Sequence, residues 1–256
     1  MARPAALSAL IAAHHGRAPP RTGSLIVSVF GALVLPAGEA LRLSDLQEWL
    51  AALEIEPGLV RTALSRLVND GTLLRERDGK AALYRLSARA LKDFEAAGDL
   101  IFGRLLPRPM GDFDLLVIED TGRRATLRAE LGAMGFVPLA SNLMIRPAWS
   151  GRAAPEIGGC LALSLHANPG LALRARELWP LEQLASGYRM VIAHAEAVQA
   201  GTFTPAEARL ARLMLVHEFR RIVLRDPFLP EAVLPKDWPG SPARIAFDAA
   251  MQQVQG

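Results

Sequence analysis

The sequence predicts a mixed α+β protein, and three stretches carry that prediction. Residues 21–92 read as helix, helix, helix and hairpin; residues 113–166 read as strands with one intervening helix; and the chain after about residue 170 returns to helical periodicity. Each element can be justified in turn.

The uncharged run TGSLIVSVFGALVLPAG opens the first stretch, and Pro36 and Gly38 close it after about 14 residues, a length suited to a buried helix rather than a membrane span. S-D-L-Q at residues 44–47 has the spacing of a capping box, and Leu46, Trp49, Leu50 and Leu53 then repeat at i, i+3, i+4 and i+7. That is a second, amphipathic helix. After the connection EIEPG, Pro57 suits the first turn of a third helix, where its missing N–H costs nothing, and Gly71 is placed to end it. TLLRERDGKAALYRLS follows as two strand-like runs around Asp78–Gly79, a dipeptide that favours a two-residue hairpin turn. In that register Arg77 lies opposite Lys80, with Arg75 two positions back on the same face. The order is that of a winged helix-turn-helix.

On a helical wheel of VRTALSRLVNDGTL, Arg61, Thr62, Ser65, Arg66 and Asn69 fall within an arc of roughly 140°, opposite Val60, Ala63, Leu64, Leu67 and Val68. No acid precedes Asp70. Two guanidiniums and three small hydrogen-bonding groups suit phosphates and base edges. An ordinary solvated surface helix is the alternative, since periodicity says nothing of partners. The stretch 59–92 carries Arg61, Arg66, Arg75, Arg77, Lys80, Arg85, Arg89 and Lys92 against Asp70, Glu76 and Asp78. Like charges crowded at a hairpin make sense beside an anion; a solvated hairpin tip is the bland reading.

GDLIFGRLLPRPMGDFD, with three glycines and two prolines, reads as an interdomain connection. FDLLVIED then reads as a buried strand, RRATLRAELGAMG as a helix closed by Gly135, and FVPLASNLMIRP and CLALSLHANP as further strands of a small α+β domain. LVHEFRRIVLRD is the clearest of the later helices. The expected boundaries are a flexible arm over 1–20, a winged helix domain over 21–98, a central domain over 105–168 and a helical domain over 169–256.

Composition sets the outer limits. A 256-residue chain that is 51% hydrophobic supports packed cores, and a net charge of only +3 means that any basic surface is local. Cys160 is the single cysteine, which rules out an intramolecular disulfide and fits a reducing, cytoplasmic compartment. MARPAALSALIAA is broken by Pro4 and lacks a small-residue cleavage site, so no signal peptide is expected. G-x-S-x-G, G-x-G-x-x-G, Walker A and H-E-x-x-H are all absent, so neither an enzyme nor a cofactor is expected. His217 and Glu218 are adjacent, about 100° apart on a helix, and are expected to be structural. Cys160 is expected to be a small buried residue.

Three blocks of the sequence resemble the PaaX family of bacterial repressors, named for the phenylacetic acid catabolic operon. They are RTGSLIVSVFGALVLPAG with VRTALSRLVNDGTL and YRLS; FDLLVIED with LGAMGFVPLASNLMIRP; and LVHEFRRIVLRDPFLPEAVLPKDWPG. The resemblance implies a central ferredoxin-like domain similar to that of Cas2 proteins, a homodimer on double-stranded operator DNA, and release by an aryl-acetyl-CoA effector such as phenylacetyl-CoA. The family also covers other pathways, so a regulator answering to a different acyl-CoA or small molecule stays open. So does a Cas2-like nuclease using Asp120 and a divalent metal, against which stands the thinness of one acid beside Glu119 on alternating strand faces. A winged helix that binds only protein is the third class. The expected DNA-contacting set is Arg61, Thr62, Ser65, Arg66, Asn69, Arg75, Arg77 and Lys80. No effector residue is assigned; Arg146, Arg174, Arg189, Arg220 and Arg221 are the cations from which an acyl-CoA site could draw.

Overall fold

Apolar spacing decides where the helices lie, beginning at the fifth residue. The computed structural model describes residues 3–16, 22–38, 40–79, 81–104, 109–149 and 155–254. Helix α1, Ala5–His15, buries Leu7, Leu10 and Ile11, which sit one turn apart on one face. This corrects the expectation of a flexible arm over 1–20, of which residues 1–2 and 17–20 lie outside those described. Pro4 stands at the N-cap, so it starts the helix instead of interrupting it.

Helix α2, Thr22–Val29, continues through one π-helical turn, Phe30–Val34, into the short α3, Leu35–Ala37. Strand β1, Leu41–Arg42, leads directly into α4, Leu43–Ala52, with Arg42 at the N-cap. The S-D-L-Q capping box therefore does not form. Pairing of β1 starts the helix early, and Ser44 falls inside the first turn, where it donates to Asp45 at 3.1 Å. Helix α5, Pro57–Asn69, has Pro57 as its first residue and is followed by Gly71 at φ 70°. Strands β2, Leu73–Asp78, and β3, Ala81–Leu86, complete a three-stranded antiparallel sheet in the order β1-β3-β2. Helix α6, Ala88–Ile101, starts at once from Ser87.

The hairpin register differs from the expected one. Asp78 pairs with Ala81 and Arg77 with Ala82, so Asp78 belongs to the paired strand and not to the loop. Gly79 at φ 60° explains the one-residue slip: it takes the first loop position, which needs a positive φ that aspartate adopts less readily.

A second antiparallel sheet follows, built from β4, Pro109–Ile118; β5, Val137–Ala140; β6, Leu143–Trp149; and β7, Cys160–His166, in the order β5-β6-β4-β7. Helix α7, Arg124–Ala133, lies between β4 and β5 in sequence. Its Leu127 and Leu131 join Leu116, Ile118, Phe136 and Met144 in one core. On paired strands β4 and β6, Arg146 is buried against Asp114 at 2.9 Å, with its guanidinium 4.7 Å from the Phe136 ring. The remaining elements are α8, Pro169–Leu178; α9, Leu181–Gln199; α10, Pro205–Val223; a 3-10 turn, Glu231–Val233; and α11, Gly240–Gln253.

The elements assemble into two compact units that do not follow linear order. One comprises residues 1–104, 188–224 and 241–256, and the other residues 105–187 and 225–240. Within the first, α10 packs against α1, α2, the π turn and α6, and Phe219 of α10 stacks on Phe247 of α11 at 4.3 Å. The N-terminal elements thus share their core with helices more than a hundred residues away. Arg244 of α11 donates to the carbonyls of Leu100 and Ile101, satisfying the C-terminal end of α6.

Ser87 fastens the hairpin to the helix after it. Its hydroxyl accepts from the N–H of Ala90 at 3.1 Å and donates to the carbonyl of Gly71 at 2.7 Å. Ser87→Ala is therefore expected to lower stability by about 1 kcal/mol or somewhat more, read as a lower urea midpoint with an unchanged denaturant slope.

Candidate nucleic-acid interface

Helix α5 divides into two faces for a simple reason: Val60, Ala63 and Leu64 are buried, and α2 packs on them. The opposite face carries Arg61, Thr62, Ser65, Arg66 and Asn69, of which the first four are exposed and Asn69 is too. The Thr62 hydroxyl donates to the carbonyl of Gly58 at 3.0 Å, which uses its proton and leaves its lone pairs outward as acceptors. No carboxylate interrupts this face before Asp70.

Arg75 and Arg77, on β2, are exposed as well. Arg77 faces Ala82 rather than Lys80, so the expected opposition of two cations is corrected by the register, and Lys80 itself lies outside the described residues. The acids of the hairpin are matched elsewhere. Glu76 pairs with Arg85 of β3, and Asp78 lies 3.9 Å from Arg42 of β1. Among the described residues no ion pair engages Arg61, Arg66, Arg75 or Arg77. The surface therefore keeps four guanidiniums directed at solvent while its acids are neutralised at the side.

Leu59 lies outside the expected set. It is 52% exposed in the first turn of α5 and stands about 20° beyond Arg66 on the wheel, so its angle marks it while its apolar character points to the core. The turn between α4 and α5 is also held in a way that local sequence does not show. Glu54 adopts φ 64°, a left-handed conformation that costs a non-glycine residue about 1 kcal/mol or more. Arg3 donates to its carboxylate at 2.6 Å and to the carbonyl of Ala52 at 3.2 Å, and a ring nitrogen of His15 lies 2.9 Å from the carbonyl of Leu53. The segment around α1 thus braces the turn that sets the angle of α5.

The other polar residues singled out from sequence have structural occupations. His217 and Glu218 are buried, with His217 2.8 Å from the Ser28 hydroxyl and Glu218 2.6 Å from His194. Asp120 accepts the N–H of Arg123 at 3.1 Å, and no cluster of metal-ligating residues occurs among the described residues. Cys160 is half-buried, at the edge of the core of the second sheet, and burial raises its thiol pKa. Of the arginines considered for a coenzyme, Arg146 is committed to Asp114, Arg174 pairs with Glu177, and Arg220 donates to Ser24 and Ser28. Among the described residues no helix is long and apolar enough to cross a membrane.

Comparison with known proteins gives three results. A family model described as PaaX-like protein matches residues 21–90, and one described as PaaX-like protein C-terminal domain matches residues 179–256. The transcriptional repressor PaaX of Escherichia coli (strain K12) is 33% identical over 254 residues, an alignment covering 90% of this chain and 80% of that one. Among solved structures, the uncharacterized protein Rv0674 from Mycobacterium tuberculosis is similar with a TM-score of 0.54 and 25% identity, over 89% of this chain and 94% of that chain.

The hydrogen bond from Arg3 holds the Glu54 carboxyl below its usual pKa of 4.5. A depressed acid contributes stability above its unfolded pKa and loses it as pH falls through the folded one. The difference in urea midpoint between the wild type and Arg3→Ala is accordingly expected to be present at neutral pH and to close below pH 4.5, measured across a pH series.

Proposed function

The chain belongs to the PaaX family, and on that premise we propose that it is a DNA-binding transcriptional repressor of a catabolic operon for phenylacetate or a related aromatic acid. The observation that carries this reading is the exposed face of α5, which has two arginines, three small polar groups and no acid before Asp70, beside a hairpin whose acids are already paired. The segment of α2, β1, α4, α5, β2 and β3 is read as a winged helix-turn-helix, with α5 in the major groove and the hairpin as the wing. Thr62, Ser65 and Asn69 reach base edges, Arg61 and Arg66 divide between guanine and phosphate, and Leu59 offers an apolar contact of the kind that packs on thymine methyls. Arg75, Arg77 and Lys80 grip the backbone.

The second sheet supports a ferredoxin-like reading through its strand order and the α7 crossover, although no helix joins β6 to β7 among the described residues. Two copies bind half-sites related by two-fold symmetry. The repressor works in the cytoplasm without catalysis of its own, and an aryl-acetyl-CoA such as phenylacetyl-CoA releases it. A PaaX-like regulator with another acyl-CoA effector would use the same reading head.

Two measurements test the DNA surface. Ser65→Ala and Arg66→Ala are expected to weaken operator binding in a mobility shift assay, with a base-reading arginine costing about 1–3 kcal/mol and relaxing specificity at one position; unchanged affinity in both would remove α5 from the groove. Neutralising Arg75 and Arg77 is expected to weaken specific and random DNA alike and to lower the salt slope by about 0.9 for each phosphate left without its cation. A slope that does not move would sink the backbone assignment.

A further inference from the structure

Helix α4 ends in a Schellman motif built around an unusual residue. The N–H of Ile55 donates to the carbonyl of Leu50 at 2.9 Å, the N–H of Glu54 donates to that of Ala51 at 2.9 Å, and Leu50 and Ile55 are both buried. The residue after the cap must take a positive φ, which is why glycine usually stands there; here glutamate does, at φ 64°. The last carbonyls of a helix have no partner within it. Those of Leu50 and Ala51 are met by the two backbone bonds, and those of Ala52 and Leu53 are met from outside. Arg3 donates to the carbonyl of Ala52 at 3.2 Å, and His15 Nε2 donates to that of Leu53 at 2.9 Å. Arg3 also donates to the carboxylate of the strained residue itself, at 2.6 Å.

Arg3 stands just before α1 and His15 is its last residue, so a single helix joins the two holds on the turn. That helix is itself anchored, since Leu7, Leu10 and Ile11 are buried and it packs on α10. Helix α10 also reaches α4 directly, with the Arg209 guanidinium 5.3 Å from the centre of the Trp49 ring. We propose that α1 is a positioning element for operator recognition, in which Arg3 and His15 fix the turn at Glu54 and thereby the angle at which α5 meets the base edges. The inference rests on the repressor reading, and it adds a source of sequence discrimination that lies outside α5 and outside residues 21–90, where the family model matches.

Leu53, Glu54, Ile55 and Glu56 are the whole connection between α4 and α5, and Pro57 restricts the first turn that follows. The direction in which α5 leaves therefore depends on the dihedrals of Glu54. A residue with a side chain favours negative φ once nothing holds it, and a rotation there tilts α5. Phosphate contacts tolerate a tilt, because long guanidiniums follow a backbone that carries charge at every step. Hydrogen bonds from short side chains such as Ser65 and Asn69 to base edges do not. Loss of the hold consequently separates two properties that loss of a DNA contact would lower together: discrimination falls while non-specific affinity stays.

The test measures binding of the full chain to operator and to random duplex over a salt series. Arg3→Ala is expected to weaken operator binding about fivefold or more, with affinity for random DNA and its salt slope as in the wild type. His15→Ala is expected to shift the same ratio in the same direction. Glu54→Gly supplies the rescue: glycine holds a left-handed turn unaided, so the double variant Arg3→Ala/Glu54→Gly is expected to recover operator affinity. An unchanged operator-to-random ratio in Arg3→Ala, or a double variant that stays weak, overturns the positioning role. A fall in random-DNA affinity and salt slope overturns it as well, by making Arg3 a phosphate contact. Amide exchange at Glu54 and Ile55 reads the turn without DNA, and is expected to quicken in Arg3→Ala and slow again in the double variant. A wild type that binds no operator while exchange behaves in this way sinks the repressor reading and leaves the hold of α1 on the turn. Exchange unaltered by Arg3→Ala overturns that hold even where operator binding is intact.

Discussion

Burial of α10 on nearly every side is the constraint on which the first unit depends. Leu213, Met214, Leu215, Val216, His217, Glu218 and Phe219 are all at most 2% exposed, so this stretch of helix has no solvated face in which to hide its polar groups. Each must find a partner inside the protein, because a buried charge or an unmet hydrogen bond costs several kcal/mol. His217 meets Ser28 of α2, Glu218 meets His194 of α9, and Arg220 meets Ser24 and Ser28. These contacts set the position of α2, and α2 in turn carries α5. The exposed polar face of α5 is thereby positioned by residues nearly two hundred positions further along the sequence.

Charge on that surface is arranged by subtraction. A net charge of +3 over 256 residues gives no hint of a nucleic-acid partner. The structure pairs Glu76 with Arg85 and sets Asp78 near Arg42, while Arg61, Arg66, Arg75 and Arg77 look outward. Exposed pairs of this kind add little stability, on the order of 0–1 kcal/mol. Their consequence is a local positive field, which long-range encounter with a polyanion uses and added salt screens.

Much of the stretch from α2 to β3 is legible in the sequence because its signals are local. The polar arc of α5, Pro57 at its first turn, Gly71 after its end and the two strand-like runs all depend on residues a few positions apart. The hairpin register is not legible to the residue, since Asp78–Gly79 is an acceptable loop by composition and only the pairing of Arg77 with Ala82 and Asp78 with Ala81 moves Asp78 into the strand. The N-terminal helix escapes sequence reasoning for another reason: AALSALIAA is short, and its helix is worth forming only where α10 covers Leu7, Leu10 and Ile11. Nothing near Ser28 in sequence announces His217, nor does anything near Glu54 announce Arg3.

The interleaving of the first unit bears on how such a chain is made. Synthesis delivers α1 to α6 early, yet the core they belong to also needs α10 and, last of all, Phe247 and Arg244 of α11. Contacts of such long sequence separation close late and slowly. Until α10 and α11 have left the ribosome, Leu25, Ile26, Val29 and Phe30 have no finished interior to enter, and the nascent chain exposes them. A chain that still lacks α10 and α11 therefore also lacks the packing that fixes α2 and, through it, the angle of α5.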